Sequence, residues 1–361
     1  MDKNNYCIIM AGGPGSRFWP LSTEEHPKQF IDLLGIGETM IQRTFRRCAQ
    51  ICPRENIILV SSDLYGDIIH QQIPGLADYQ VLCEPTRRNT APCIAYAASI
   101  IRRRNPNATV FVSPSDHFIS GWDDYVEDIS NAMDIARNNK WIITLGAQPS
   151  NPNTKYGYIQ FDEELPMPPI GNLHKVLTFT EKPPVEVARQ FICSGEFFWN
   201  VGIFIWHIDV LIDAYRQYLP AIAEAFFDLS EQTPKETIDR IYSQCETISV
   251  DHGIMEKSDN VYGMRASFGW SDVETWDSLY NTCDHDRSGN AFISGKVFAY
   301  DTRDCVVHVP NNKIVVLQGL DGYVVTEQNN TLMICRRDQE ERHVKFMSDV
   351  ELSKIKSKNK H

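Results

Sequence analysis

Two periodicities alternate through the first 150 residues, and this alternation restricts the fold more than any other feature. Short apolar runs at residues 6–10, 57–61, 80–83, 109–112 and 142–145 have the length of buried strands. Helical spacing fills the gaps between them. Thr39-Met-Ile-Gln42 reads as a capping box, and Ile41, Phe45 and Cys48 follow on one face. Thr90 is placed to cap a helix over residues 91–104, with Pro92 tolerated in its first turn. Val126, Ile129, Met133 and Ala136 make a further stripe. Strand–helix alternation predicts an α/β fold: a Rossmann-like, mostly parallel sheet with helices on both faces.

Further along, residues 156–161, 175–180 and 201–206 read as strands, and 208–218, 222–229 and 235–244 as helices. Pro166, Pro168 and Pro169 mark a loop. After about residue 288 the pattern changes. Val307, Val316, Val325 and Ile334 recur at nine-residue intervals, with Gly and Asn between them. Short strands so evenly spaced suggest a small all-β unit, with a coiled solenoid and an ordinary meander fitting the spacing equally well. The expected division is a catalytic domain over 1–288, a β domain over 289–350, and a polar, lysine-rich, disordered tail over 351–361.

The formal net charge of −12 argues against partners such as nucleic acid or a membrane surface. It leaves room for small anionic substrates, because a local basic cluster can outweigh the global sign. The apolar run from Tyr6 to Ala11 is too short for a membrane span or a signal peptide. Ten cysteines are scattered without a Cys-x-x-Cys pair, which argues against a cysteine-only zinc site and fits reduced thiols in a cytoplasmic protein.

The first strand runs into Ala11-Gly-Gly-Pro-Gly-Ser-Arg-Phe-Trp-Pro20 and then Pro27-Lys28-Gln29. Glycines let backbone N–H groups approach a phosphate without a Cβ in the way. Arg17 offers a planar fork for phosphate oxygens and Lys28 a point charge. The loop follows the carboxyl end of a strand, where open α/β sheets bind ligands. A Walker loop is absent, and Phe18 stands where a dinucleotide fingerprint needs its third glycine. The alternative is a Gly/Pro surface turn with a solvated arginine.

Gly12-Gly-x-Gly-Ser-Arg-Phe-Trp-Pro-Leu-Ser22 with Pro27-Lys-Gln29 resembles the signature of the sugar-1-phosphate nucleotidyltransferases. Within that family the Trp-Pro-Leu-Ser form is most similar to the mannose-1-phosphate guanylyltransferase branch, although Ser16 and Phe18 stand where the branch usually has Thr and Leu. The resemblance implies that GTP lies against Ala11, Gly12, Gly13, Gly15 and Ser16, with Arg17 and Lys28 on the leaving phosphates. Glu84-Pro-Thr-Arg-Arg-Asn-Thr-Ala-Pro92 is similar to the family's base and ribose motif, implying contacts from Glu84, Asn89 and Thr90. Helix capping alone would also explain Asn89 and Thr90.

Asp116, after the strand ending near Val112, and Asp272 in Gly269-Trp-Ser-Asp-Val273 correspond to the family's Mg²⁺ ligands. Two carboxylates with phosphate oxygens and waters make an acceptable Mg²⁺ site, while for Asp116 an Asx-turn is the simpler reading. The usual Gly-Ser-Trp is replaced by Glu274-Thr-Trp276; the extra carboxylate either perturbs the site or faces water, and water is the expectation. Gly157, Glu181, Lys182 and Asn200 resemble the pocket for the sugar phosphate, Lys182 neutralising its charge. Lys155 and Val201 depart from the common Gly and Ser. Asp251, in Ser249-Val-Asp-His-Gly-Ile-Met-Glu256, reads as a helix N-cap. His117 reads as structural.

The implied reaction moves GMP from GTP to α-D-mannose 1-phosphate. The resemblance also implies that the C-terminal strands form a short parallel β-helix able to contribute to a homodimer, and that the chain has no room for the isomerase domain fused to longer relatives. Alternatives in the same class are a guanylyltransferase for heptose 1-phosphate and a UTP-dependent glucose-1-phosphate enzyme. A nicotinamide oxidoreductase and a catalytically silent sugar-nucleotide sensor are the alternatives from other classes.

Overall fold

A computed structural model describes residues 1–13, 16–162 and 172–358. Gly15 and the three loop prolines therefore lie outside the described residues. The strands are β1 (Asn5–Met10), β2 (Ile57–Ser62), β3 (Val81–Glu84), β4 (Thr109–Pro114), β5 (Phe118–Ser120), β6 (Ile142–Ala147), β7 (Tyr158–Phe161), β8 (Leu173–Thr180), β9 (Phe197–His207), β10 (Val261–Arg265) and β11 (Gly269–Ser271). Among them come helices α1 (Met40–Cys48), α2 (Gly66–Gln72), α3 (Thr90–Arg104), α4 (Trp122–Asn138), α5 (Val185–Ser194), α6 (Ile208–Tyr218), α7 (Pro220–Phe226) and α8 (Lys235–Gln244). The chain closes with α9 (Trp276–Thr282), β12 (Ala291–Ser294), β13 (Lys296–Tyr300), β14 (Val306–His308), β15 (Ile314–Gln318), β16 (Tyr323–Gln328), β17 (Thr331–Arg336) and α10 (His343–Lys358).

These elements gather into two compact units. The first comprises Met1–Gly12, Thr44–Ser115 and Ile119–Trp270. It holds a nine-stranded sheet in the order β3-β2-β1-β4-β9-β6-β10-β8-β7. The β3-β2-β1-β4 half is parallel, as the strand–helix alternation requires. The other half corrects the expectation of a mostly parallel sheet: β9 runs antiparallel to both β4 and β6, and β8 antiparallel to β7 and β10. The fold is thus mixed α/β. Apolar periodicity identifies a strand but carries no information about its direction, which the connections decide.

Helix α3 fills one face of this sheet. Its residues 91–101 are all buried, mostly Ala and Ile, small enough for close approach to the strands. Its cap is Asn89 rather than Thr90. The Asn89 side chain accepts from Thr90 N at 2.8 Å, and Thr90 Oγ1 accepts from Val250 N at 2.9 Å. The Thr39/Gln42 capping box of α1 forms as read, with Thr39 N donating to Gln42 Oε1 at 2.9 Å and Gln42 N to Thr39 Oγ1 at 3.4 Å.

The second unit comprises Gly13–Arg43, Asp116–Phe118 and Ser271–His361. It does not follow the expected linear boundary at 288. Phe18, Trp19, Leu21, Leu33 and Met40 share one apolar core with Val273, Trp276, Leu279, Ala291, Val306 and Val324. Strands β12, β14 and β16 pair in parallel, as do β13 and β15, with Val307 beside Val325 and Phe298 beside Val316. The nine-residue interval therefore marks successive strands, and parallel partners lie two intervals apart. β17 turns back antiparallel on β16, with Ile334 opposite Val325. Helix α10 replaces the expected disordered tail as far as Lys358, so the C-terminal unit is not all β.

Within the first unit Gly263 leaves room for a buried ring. A Cβ there would lie 2.1 Å from Phe161 Cε1, and that ring stacks on Phe198 at 4.8 Å and His174 at 5.5 Å. Gly263→Ala should overpack this cluster and lower stability by about 1–3 kcal/mol, read from chemical denaturation. An unchanged midpoint would show that the ring can move aside.

Candidate active site

In the first unit, β1 delivers Ala11 and Gly12. The Ala11 N–H is already spent on Val60 O at 2.8 Å, and its carbonyl accepts from Ser61 Oγ at 2.8 Å. The Ala11 backbone is thus engaged within the sheet. A Cβ on Gly12 would lie 3.4 Å from Glu84 Oε2, so the glycine lets backbone sit against that carboxyl. Glu84 ends β3 and is 4% exposed. Burial pushes its carboxyl up to about 7, against opposing pulls from Tyr242 and Arg87. The Arg88 guanidinium donates to Tyr242 O at 2.8 Å and to Ser243 O at 3.2 Å.

A second cluster in this unit gathers four expected residues. Asn200 N donates to Gly157 O at 2.8 Å, and a Cβ on Gly157 would come within 2.6 Å of Glu181 Oε2. Lys182 Nζ pairs with Glu181 Oε1 at 2.8 Å, with the lysine exposed and the glutamate largely buried. Asn200 Nδ2 donates to Asp251 Oδ1 at 3.0 Å, while Asn200 Oδ1 accepts from Gly202 N at 3.1 Å. The amide is thus held in one orientation. Asp251 is not an N-cap, because the short π-turn it opens is preceded by Val250. Burial, reinforced by the Glu181 charge, pushes its carboxyl up to about 7. His252 pairs with Glu256 at 2.9 Å, which raises its imidazole pKa.

Three aromatic residues were not singled out by the sequence. Tyr156 meets Trp199 and Trp270 edge-on, each at 5.0 Å between ring centroids. Each adjoins a residue already chosen or lies in a chosen motif, so adjacency was the available signal.

The second unit carries the remaining charges. Lys28 is 8% exposed, and its Nζ lies 2.9 Å from Asp116 Oδ2, 3.0 Å from Asp272 O and 3.3 Å from Val273 O. Three partners match the three protons of an ammonium. Lys28 is therefore an internal tie between Asp116 and the 272–273 turn. Burial alone would raise the Asp116 carboxyl. The Lys28 ammonium and, less, His117 outweigh burial and hold it below the ordinary aspartate value.

Arg17 and Glu274, both partly exposed, form an ion pair through Nη1 and Oε2. Glu274 thus does not simply face water. Gly13 O accepts from Gln29 Nε2 at 2.9 Å. The side chain of Ser16 is outside what the structure describes.

Among the described residues no group of three or more His, Cys, Asp or Glu converges as a metal centre. Mg²⁺ does not require one, since one or two carboxylates with waters and phosphate oxygens suffice. Asp116 and the Asp272 backbone meet at one ammonium, and carboxylate oxygens are the hard donors that such an ion takes.

The nucleotidyl transferase family profile matches residues 6–289. The chain belongs to this family of nucleotidyl transferases. A mannose-1-phosphate guanylyltransferase of Escherichia coli is 29% identical over 98% of this chain and 77% of its own length. One from Salmonella montevideo is 30% identical over 98% of this chain and 74% of its own length. A crystal structure from Thermus thermophilus, described as a mannose-1-phosphate geranyltransferase, superposes with a TM-score of 0.86 at 28% identity, over 96% of this chain and 99% of its own.

Two predictions test the electrostatics of this nucleotidyl transferase. Lys28→Met leaves Asp116 without its counter-charge and should lower stability at pH 7 by on the order of 3 kcal/mol. The folded pKa of Asp116 is depressed, so its contribution is present above the unfolded value and lost as pH falls through the folded one. Without Lys28, burial raises the Asp116 carboxyl, so the gap between wild type and variant in urea unfolding should narrow progressively as pH falls from 7 to 3.5. An equal gap at pH 7 and pH 3.5 would place the loss elsewhere.

Asp251 has the opposite sign. Its folded pKa of about 7 lies above the ordinary 3.8, so its favourable contribution is lost as pH rises through 7. Asp251→Asn keeps an acceptor for Asn200 and should raise the melting temperature more at pH 8 than at pH 5. A pH-independent effect would contradict the burial argument.

Proposed function

We propose that this chain transfers GMP from GTP to α-D-mannose 1-phosphate, releasing pyrophosphate and forming GDP-mannose. The observation that carries the reading is the likeness, over 98% of the chain, to two mannose-1-phosphate guanylyltransferases. Local chemistry agrees with the base. Guanine presents an N1–H and an exocyclic amino group to one side, and a carboxylate such as Glu84 accepts from both. Uracil and thymine lack that pair of donors.

The nucleophile is a sugar 1-phosphate oxygen, already an anion, that attacks the α-phosphorus in line as pyrophosphate leaves. No general base is required. Catalysis then rests on positioning and on stabilising the leaving charge. In this reading Arg17 receives the leaving phosphates and Lys182 the sugar phosphate. The backbone at Gly157, Glu181 and the fixed amide of Asn200 address sugar hydroxyls. Gly12 and Gly13 admit the nucleotide, while Asn89 and Thr90 support it through the cap of α3. Asp116 and Asp272 would hold Mg²⁺, which when bound screens repulsion between the two anionic substrates. Lys28 contributes by fixing Asp116.

The paired parallel strands β12/β14/β16 and β13/β15 support reading the C-terminal unit as a short parallel β-helix, a surface suited to a homodimer. No described helix is long and apolar enough to cross a membrane. The ten cysteines stand as free thiols, which suits a reducing, cytoplasmic setting.

A pyrophosphate-release assay over GTP, UTP, dTTP, mannose 1-phosphate and glucose 1-phosphate tests the proposal, with GTP plus mannose 1-phosphate expected to be fastest. Glucose 1-phosphate turning over faster with UTP would overturn it. Glu84→Gln should lower kcat/KM for GTP by roughly 10- to 100-fold, since one of its two acceptor oxygens becomes an NH2 facing a guanine donor, while slow turnover of UTP changes little. Equal losses for both nucleotides would remove Glu84 from base recognition.

A further inference from the structure

We infer that Glu274 is a built-in anion that occupies Arg17 when no polyphosphate is bound and competes with it for that guanidinium. The inference rests on the reading of Arg17 as the residue that receives the leaving phosphates. Three observations within the second unit support it.

First, Arg17 Nη1 and Glu274 Oε2 are in direct contact, and both side chains reach solvent, with exposures of 51% and 36%. A carboxylate and a phosphate present the same paired oxygens to a guanidinium, so the two are rivals for one fork.

Second, the contact is held from behind on both sides. Phe18, next to Arg17, meets Trp276, two residues after Glu274, edge-on at 5.2 Å, and both rings are fully buried.

Third, the backbone around Glu274 is fixed. Lys28 Nζ holds the carbonyls of Asp272 and Val273. Val273 is a buried, β-branched residue at φ +44°, a conformation that persists only where the surroundings impose it. On the other side Thr275 caps α9, with its Oγ1 accepting from Ser278 N at 2.9 Å. The segment cannot carry Glu274 away from Arg17 without breaking these bonds. The side chain alone can rotate, and that is the motion a competing anion requires.

The consequence is a lowered affinity for the triphosphate end of the nucleotide and for the pyrophosphate product. Arg17 is kept oriented in the resting enzyme, and Glu274 re-forms its pair as pyrophosphate departs. The pair is half-exposed, so its strength is that of a surface ion pair and the competition amounts to a few-fold in affinity.

Inorganic pyrophosphate binding to the full chain, measured by calorimetry in Mg²⁺, tests this without relying on turnover. Glu274→Gln keeps the shape and removes the charge, and should tighten pyrophosphate binding by about two- to fivefold. Arg17→Gln should weaken it. In Arg17→Gln/Glu274→Gln the gain should vanish, because the competition needs both partners. In steady state the KM for GTP should fall in Glu274→Gln by a larger factor than kcat changes. Glu274→Ser serves the same comparison should the glutamine variant fold poorly.

Unchanged or weaker pyrophosphate binding in a folded Glu274 variant would overturn the inference and make the glutamate a support for Arg17. A gain that survives in the double variant would likewise overturn it. Failure of the wild type to make GDP-mannose would instead strike the proposed function, while leaving the competition for pyrophosphate measurable.

Discussion

One buried ammonium organises the charges of the second unit. Lys28 Nζ satisfies its three protons with the Asp116 carboxylate and the carbonyls of Asp272 and Val273. It therefore ties three segments that are far apart in sequence. A buried ion pair of this kind adds little net stability over a well-packed apolar alternative, but losing one partner is costly. Its value here is geometric. It holds Asp116 ionised, fixes the turn that presents Asp272, and lets Val273 keep a left-handed conformation with its side chain in the core. Arg17 and Glu274 then face each other over a frame they do not themselves maintain.

The sugar-side cluster is built on the opposite electrostatic logic. Glu181, Asp251 and Glu256 bring three carboxyls near one exposed lysine, Lys182, and one imidazole, His252. Burial and the neighbouring Glu181 charge raise the Asp251 carboxyl to about 7, so near neutrality it is partly protonated. A neutral carboxyl still accepts from Asn200 and places no full charge beside an arriving anion. In the proposed function the cluster would keep its hydrogen-bond geometry while limiting its repulsion of a sugar phosphate.

Much of this was legible in the sequence because it is local. The parallel half of the sheet, the Thr39/Gln42 capping box and the helices following each early strand are set by runs of ten to twenty residues, and they form where periodicity put them. The glycine cluster and the two aspartates were visible as motifs for the same reason. Strand direction was not legible, since β9 has the same apolar character whichever way it runs. Nor was the identity of the α3 cap, where Asn89 and Thr90 are equally good capping residues and only the bond from Val250 N to Thr90 decides between them.

The roles of Lys28 and Glu274 failed to emerge for a different reason. Both depend on what lies opposite in space, 244 and 257 residues away along the chain. A lysine after a glycine loop suggests a phosphate ligand until its protons are counted against their acceptors. An acidic residue in a turn suggests solvent until an arginine is found beside it. In both cases residue type gave the chemistry, cation and anion, and the partner inside the protein came only from the structure. Cations near a phosphate-binding loop are therefore better sorted by how many donors remain unspent than by their place in a motif. On that count Lys28 is spent on three partners, while Arg17 makes a partly exposed ion pair with Glu274.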